Sequence, residues 1–393
     1  MSSTPMKKLP TRHKAIVVAR SGYVDLEEVD MPKLGTNQIL VQVGAAAQSS
    51  CDWQTMVYAK KYGAVAGCNF AGTVVQIGPD VPENQWTVGD RVAGFVHGGG
   101  WFTRSPRPLR FNYDCPLGLI SNGSFAEYVV AFAHIAVHIP SSWSLEDASQ
   151  LGIAPFTACQ YLYHIHNFHI PSELKDLPAK PDDEREMLLV YGGATSVGLY
   201  TIQLAKLSGL RVFAACAPRH FELLRDYGAD EVFDYTNPQV SMRIGMNTYG
   251  KLKYAVDIVS ERQSPYQVSR SLSREGGKVS SCKKYASPRP GVEVHWTFPF
   301  MLLPENCDYP APYTSKEEER DRGQKYAQLI SNVIANGSVK PIPALILPDG
   351  LASVAQGLEM MMEGNTVGTT VTYRISDTPD IRIEAKDDVL MPL

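Results

Sequence analysis

Short apolar runs broken by glycine and proline open the chain, whereas longer runs at helical spacing dominate its second half. Residues 15–19, 38–46, 72–77, 91–95, 125–130 and 135–139 each read as a short strand bounded by turn residues, as in a barrel-like β domain. Ser144-Leu145-Glu146-Asp147 predicts a helix start, since Ser144 can cap and the two acids fall in the first turn. Leu151, Ile153, Ala154, Ala158 and Tyr161 carry that helix on through Thr157. From Met187 onward strands and helices alternate: strands at 187–190, 231–235, 253–259 and 278–282, a strand followed by a loop across 211–220, and helices at 198–207, 221–227, 238–248 and 265–274. Such alternation predicts a parallel, doubly wound sheet. A charged amphipathic helix over 315–335 stops at Asn336-Gly337, and a strand (342–347), a helix (351–363) and a strand (369–374) follow.

The first turn of the alternating half carries candidate chemistry. Tyr191-Gly192-Gly193-Ala194-Thr195-Ser196-Val197-Gly198 links an apolar strand to a helix, and a helix starting there points free N–H groups at the turn. In a dinucleotide fold the first glycine makes the turn, the second admits the pyrophosphate and the third packs helix on strand. Gly193 and Gly198 take the outer places and Thr195 the middle one. The Thr195 hydroxyl can reach a phosphate, but its bulk forbids the closest approach. About 20 residues on, NAD-binding folds place an acid on the ribose 2′-hydroxyl. Ala217-Pro218-Arg219-His220 offers a cation there, which favours the 2′-phosphate of NADP(H). A solvated arginine opening the next helix is the other reading of Arg219.

At 393 residues the chain is long enough for two domains, and 44% hydrophobic with 20% charged residues is ordinary for a globular protein. A net charge of −4 without a long basic block argues against nucleic acid and anionic membrane as partners. No run reaches about 18 apolar residues, so a soluble, cytoplasmic protein is expected. Seven scattered cysteines fit reduced thiols. Residues 97–117, 171–185 and 283–312 read as insertions, the last around a strand-like 292–298, and the final fifteen or so residues as a loose tail. His164, His166 and His169 do not share one helix face and are read as a polar helix end, not a metal site.

A β domain, a nucleotide fold and a short return segment, in that order, resemble the medium-chain dehydrogenase/reductase superfamily. Gly67-Cys68-Asn69-Phe70-Ala71-Gly72-Thr73-Val74-Val75, Val88-Gly89-Asp90-Arg91-Val92 and Gly123-Ser124-Phe125-Ala126-Glu127-Tyr128 resemble its zinc-free quinone-reductase-like branch. Cys51-Asp52-Trp53-Gln54, Glu231-Val232-Phe233-Asp234-Tyr235 and Gly357-Leu358-Glu359 are similar to the trans-acting enoyl reductases of fungal polyketide pathways. The resemblance covers about residues 14–374. It implies an α/β fold: a GroES-like β-barrel catalytic domain over 1–159, a doubly wound Rossmann domain for NADP(H) over 160–337, and a return segment over 338–393. It also implies NADPH-dependent reduction of an α,β-unsaturated polyketide-type substrate, free or carrier-tethered, a polyketide synthase partner, and a monomer or dimer. A stand-alone alkenal or quinone reductase, and a non-redox cyclase-like or scaffold descendant, remain open.

Zinc relatives hold their metal with Cys, His and a third Cys or acid around an open position. Cys51 and Cys68 fall near the first two places, but Gly67-Cys68-Asn69 replaces Gly-His-Glu and no third ligand is evident near Ile153 and Ala154. The structural zinc lobe retains only Cys115, so no metal is expected and Cys51 and Cys68 are read as packed residues. By resemblance, Cys51, Asp52, Trp53 and Gln54 lie beside the nicotinamide and ribose. Gln150, Leu151, Gly152, Ile153, Ala154, Pro155, Phe156 and Thr157 lie across the substrate cleft. Thr157 either donates to the nicotinamide carboxamide or the substrate carbonyl, or bonds back to the preceding turn. Tyr235 lies near the adenosine phosphate or in the core, and Val259 and Ser260 end the fourth strand, where ligands collect. Val367 and Gly368 return to the cofactor or merely turn into the last strand. Related sequences carry Asp-Trp-Lys where this chain has Asp52-Trp53-Gln54, and Ser49-Ser50 replaces their preceding Asn-Pro. Gln54 and Thr157 are the candidate catalytic residues, and Gln54 has no transferable proton at neutral pH.

Overall fold

A computed structural model describes residues 9–20, 23–59, 62–98, 122–174, 181, 184–307 and 311–381. Most of the expected 97–117 insertion, part of the 171–185 segment and the end of the tail lie outside these residues. β1 (Arg12–Arg20) and β2 (Tyr23–Asp30) pair antiparallel as a two-stranded sheet. β3 (Gln38–Ala47), α1 (Ser50–Gln54), β4 (Asn69–Ile77), β5 (Arg91–Phe95), β6 (Tyr128–Phe132) and β7 (Val137–His138) follow. Ser144 caps α2 (Leu145–Ala148) as its position predicts, its hydroxyl accepting from the Asp147 N–H at 3.0 Å.

The expected continuous helix through Thr157 is broken. α2 ends at Ala148 and α3 (Ile153–Cys159) starts afresh after Gly152, whose φ of −86° and ψ of −103° are not helical. A Cβ at Gly152 would strike Asn69 Oδ1 and lie 2.6 Å from the Gly94 carbonyl oxygen, so the chain passes there only without a side chain. After α3 the backbone loosens into a π turn over Gln160–Ile165.

The alternating half comprises β8 (Met187–Tyr191), α4 (Ser196–Leu207), β9 (Arg211–Cys216), α5 (Phe221–Asp226), β10 (Glu231–Asp234) and α6 (Val240–Asn247). It continues through β11 (Tyr254–Asp257), α7 (Ser264–Ser271), β12 (Gly277–Ser281), β13 (Val292–Trp296) and α8 (Glu317–Ala335). Its six strands are all parallel, in the order β10-β9-β8-β11-β12-β13. Strand order reverses between β8 and β11, which opens a crevice at their carboxyl ends. β13 corrects the insertion reading of 283–312: it pairs with β12 from Gly277↔Val292 to Ser281↔Trp296 as a regular edge strand.

β14 (Ala344–Leu347), α9 (Val354–Met362) and β15 (Thr370–Arg374) return to the first half. There β15 joins β3, completing a seven-stranded sheet in the order β14-β15-β3-β4-β5-β7 with β6 also on β3. One buried cluster runs from Phe95, Leu151 and Phe156 through Leu199 and Ile202 to Ile330 and Ile334, so α3, α4 and α8 pack between the two larger sheets. Each such fully buried side chain stabilises by about 1.5–3 kcal/mol. Among the described residues no helix is long and apolar enough to cross a membrane.

Candidate active site

The glycine turn is built so that helix and strand touch. Gly192 adopts φ 92°, and the N–H groups of Gly192 and Gly193 both donate to the Ala215 carbonyl at 3.0 Å, which pins the turn to β9. A Cβ on Gly198 would sit 2.6 Å from the carbonyl oxygens of Gly192 and Gly193, so α4 can begin this close only with glycine there. Thr195 caps the helix: its hydroxyl accepts from the Gly198 N–H (3.1 Å) and donates to the Gly192 carbonyl (2.8 Å). Its hydrogen therefore serves the turn, and the first-turn amides of Ser196 and Val197 have no acceptor within the helix.

The return segment closes on this turn. The Gly368 N–H donates to the Ala194 carbonyl at 3.0 Å, Ser196 Oγ lies 3.2 Å from Thr370 Oγ1, and Val367 is exposed beside them. Gly368 has φ 90°, and a Cβ there would approach His220 Nδ1 to 2.9 Å. His220 is thus held between the return loop and Arg219, whose Nε donates to His220 Nε2 at 3.0 Å. Partial burial, then the Arg219 charge, holds the His220 pKa below its ordinary value. Arg219 is exposed, and Ala217 turns the chain into the short helical turn Pro218–His220 that carries it. Tyr235 is 44% exposed with its ring 6.4 Å from that of Tyr191, which removes it from the core. The carboxyl ends of β8, β9 and β10 therefore bring the glycine turn, Arg219, His220 and Tyr235 to one edge.

Val259 packs on the glycine turn, its Cγ2 lying 3.1 Å from where a Gly192 Cβ would be. Ser260 adopts φ 53°; its hydroxyl donates to the Asp257 carbonyl (2.6 Å) and accepts the Cys282 N–H (3.2 Å). Buried Asp257 accepts from the Ser260 N–H, the Ser264 hydroxyl and the Tyr285 hydroxyl, and burial raises its pKa. This network fixes the end of β11 and occupies the Ser260 hydroxyl.

Asn69 organises the cleft between the two larger sheets. Its Nδ2 donates to Ser49 Oγ (2.6 Å) and the Ala47 carbonyl (3.2 Å), while its Oδ1 accepts the Ile153 N–H at 2.7 Å. One side chain thereby ties the start of α1 to the start of α3. Ser49 in turn donates its N–H to Asp52 Oδ2 at 2.7 Å. Asp52 is buried, its Oδ1 has no hydrogen-bond partner, and burial pushes its carboxyl up to about 7. Trp53 and Gln54 are half-buried at the end of α1, and Gln54 makes no side-chain hydrogen bond among the described residues.

On the opposite wall, Thr157 donates its hydroxyl hydrogen back to the Ile153 carbonyl at 2.6 Å, so towards a ligand it can only accept. Gln150 lies away from the cleft. Its Oε1 accepts from Tyr200 and from the Ile342 N–H, and its Nε2 donates to the Ile342 carbonyl. Leu151 and Phe156 are core residues, whereas Ile153 and Ala154 keep slight exposure and Gly152 and Pro155 are buried. Sequence reasoning missed Asn69, Ser49 and the Gln48–Tyr373 hydrogen bond that holds β3 to β15. The signal for Asn69 was present in Gly67-Cys68-Asn69, where only the loss of a ligand was read.

Two family profiles match the chain: an alcohol dehydrogenase GroES-like domain over residues 35–141 and a zinc-binding dehydrogenase over 196–294. The trans-enoyl reductase mpsG of Macrophomina phaseolina is 32% identical over 379 residues, covering 94% of this chain and 99% of that protein. The chain belongs to the trans-enoyl reductase family. The family's ACTTS2 of Alternaria alternata is 32% identical, over 92% of this chain and 98% of its own. The crystal structure of CurK enoyl reductase superposes with a TM-score of 0.69 at 15% identity, over 92% of this chain and 98% of that one. These matches give the chain the medium-chain dehydrogenase/reductase fold, with a GroES-like part and a Rossmann-type nucleotide fold.

The zinc-binding profile directs attention to this chain's own donors. Cys51 Sγ lies 3.6 Å from Cys68 Sγ, and an Asp52 oxygen lies within 4.8 Å of both. Three donors match the number in an open zinc site. The sequence hid the third because it adjoins Cys51 instead of lying near Ile153. Contact with Cys51, burial and Asp52 push the Cys68 thiol well up, so an ion there would have to displace protons that burial holds in place.

Proposed function

We propose that the protein is an NADPH-dependent enoyl reductase acting on an α,β-unsaturated polyketide-type thioester carried by a polyketide synthase. The observation that carries this reading is that the glycine turn opening α4, the Gly368 loop and the Arg219–His220 pair lie side by side. The Ser196 and Val197 amides would take the pyrophosphate, Arg219 the 2′-phosphate, and Tyr235 the adenosine side. Bound NADPH supplies the hydride that reaches the β-carbon of the enoyl group. Cys51, Asp52, Trp53 and Gln54 would face the nicotinamide ribose, with Asn69 holding their helix against α3 so that the reacting carbons stay close. Thr157 would accept from the nicotinamide carboxamide, since its hydrogen is held by Ile153. Gln54 would offer its amide N–H to the enolate oxygen, and the proton for the α-carbon would come from water. A conjugated alkene accepts hydride without a Lewis acid, so the proposed reaction uses no metal. The sequence boundaries at 159 and 337 belong to the same proposal.

Gln54 favours one other reading, a non-redox descendant that keeps the nucleotide and shapes a reactive intermediate. NADPH oxidation with pantetheine-linked enoyl chains, compared with free alkenals and quinones, separates the readings. Turnover of the thioesters supports the proposal. Turnover confined to free alkenals or quinones makes the protein a stand-alone reductase. Tight NADPH binding without oxidation by any acceptor leaves the non-redox reading.

A further inference from the structure

Cys51 and Cys68 come together from different elements, one in α1 and the other just before β4, and their sulfurs are in van der Waals contact at 3.6 Å. They differ in access: Cys51 is half-buried at the cleft, whereas Cys68 is fully buried behind it. Cys159, Cys216 and Cys282 have no such sulfur neighbour among the described residues. We propose that Cys51 and Cys68 form a reversible disulfide with small oxidising disulfides, and that this link closes the cofactor site. The proposal rests on the sulfur geometry and goes beyond the reductase reading.

The exchange balances without a further reagent. The Cys51 sulfur attacks one sulfur of oxidised glutathione, and its proton leaves with the first glutathione thiol. Cys68 then attacks the Cys51 sulfur, and its proton leaves with the second glutathione thiol. Two protein thiols are oxidised and one glutathione disulfide is reduced to two thiols. A disulfide has an S–S length of about 2.05 Å, so the sulfurs must close by about 1.5 Å. That movement draws α1 towards β4, where Asn69 holds both Ser49 and the Ile153 N–H, and so displaces the Cys51–Gln54 run against α3. Burial of Cys68 also hides the link from a returning reductant, so oxidation and recovery should both be slow.

The full chain treated with oxidised glutathione should fall from seven titratable thiols to five and yield a peptide pair joined through Cys51 and Cys68, without cleaving any other cysteine. NADPH affinity should fall at least tenfold and return with dithiothreitol. Cys68→Ser should instead stop at a glutathione adduct on Cys51. Seven thiols remaining, an adduct on wild-type Cys51 that never resolves, a link to another cysteine, or unchanged NADPH affinity after full linkage would each overturn the proposal. One zinc per chain that blocks both thiols would do the same. The peptide map needs no activity, so its result stands even where enoyl reduction is not found.

Discussion

Arg219 stands at the glycine-turn edge on one exposed side chain, steadied among the described residues by His220. Its removal should weaken NADPH about ten- to a hundredfold and leave NADH nearly untouched, as read by fluorescence titration. Equal affinity of the wild-type protein for both cofactors would contradict the assignment. Gln54 is half-buried at the end of α1, and among the described residues its amide is unengaged. Gln54→Lys should raise the rate of enoyl reduction if the missing charge or proton limits turnover. An unimproved rate in an already active wild type would show that water delivers the proton unaided. Asp52 makes a prediction about stability. Its folded pKa of about 7 lies above the value near 3.9 of an unfolded aspartate, so the native state keeps a proton that the unfolded state releases. This contribution is fully present below about pH 4 and is lost as pH rises through 7. Asp52→Asn should therefore stabilise the protein at pH 8 by on the order of 4 kcal/mol, seen as a higher melting temperature, and change little at pH 4. An equal effect at both pH values would show that Asp52 titrates normally.

Between elements, Asn69 is the coupling that the site depends on most. Asn69→Ala removes the acceptor of the Ile153 N–H and the donor to Ser49 at once, which should cost roughly 1–3 kcal/mol. It should raise KM for NADPH more than a distant core substitution of equal cost does, a comparison made by matched denaturation and steady-state assays. The elements themselves were mostly legible because their signals are local. Capping by Ser144, the strand 187–191 and the glycine turn follow from adjacent residues. The helix break at Gly152 was not legible, because it is imposed by Asn69 and Gly94 on other strands. β2 carries no clear alternation because Asp25, Glu27 and Glu28 interrupt the inward-packing Val24, Leu26 and Val29. β13 was read inside an insertion because prolines flank it, yet an edge strand tolerates such neighbours.

Across the whole molecule, the halves of the site differ in what the chain discloses. The anion edge is written in contiguous residues, from Gly192 to Gly198 and at Arg219. The rest depends on pairs far apart in sequence: Asn69 with Ile153 and Gln48 with Tyr373 in the cleft, and Gly368 with Ala194 where the return loop meets the glycine turn. No periodicity reports such contacts, and resemblance alone placed Gln150 and Leu151 in a cleft from which the fold turns them away. In the proposed reaction, the two halves are joined by hydride transfer from a nucleotide held at one to an alkene held at the other. The most direct measurement is the fate of deuterium from NADPH labelled at the nicotinamide 4-position, incubated with the protein and a pantetheine-linked enoyl chain. The account predicts a saturated product one mass unit heavier, labelled at the β-carbon when the matching face of NADPH carries the deuterium. A product without deuterium from either labelled face, or no saturated product while NADPH remains bound, would contradict it.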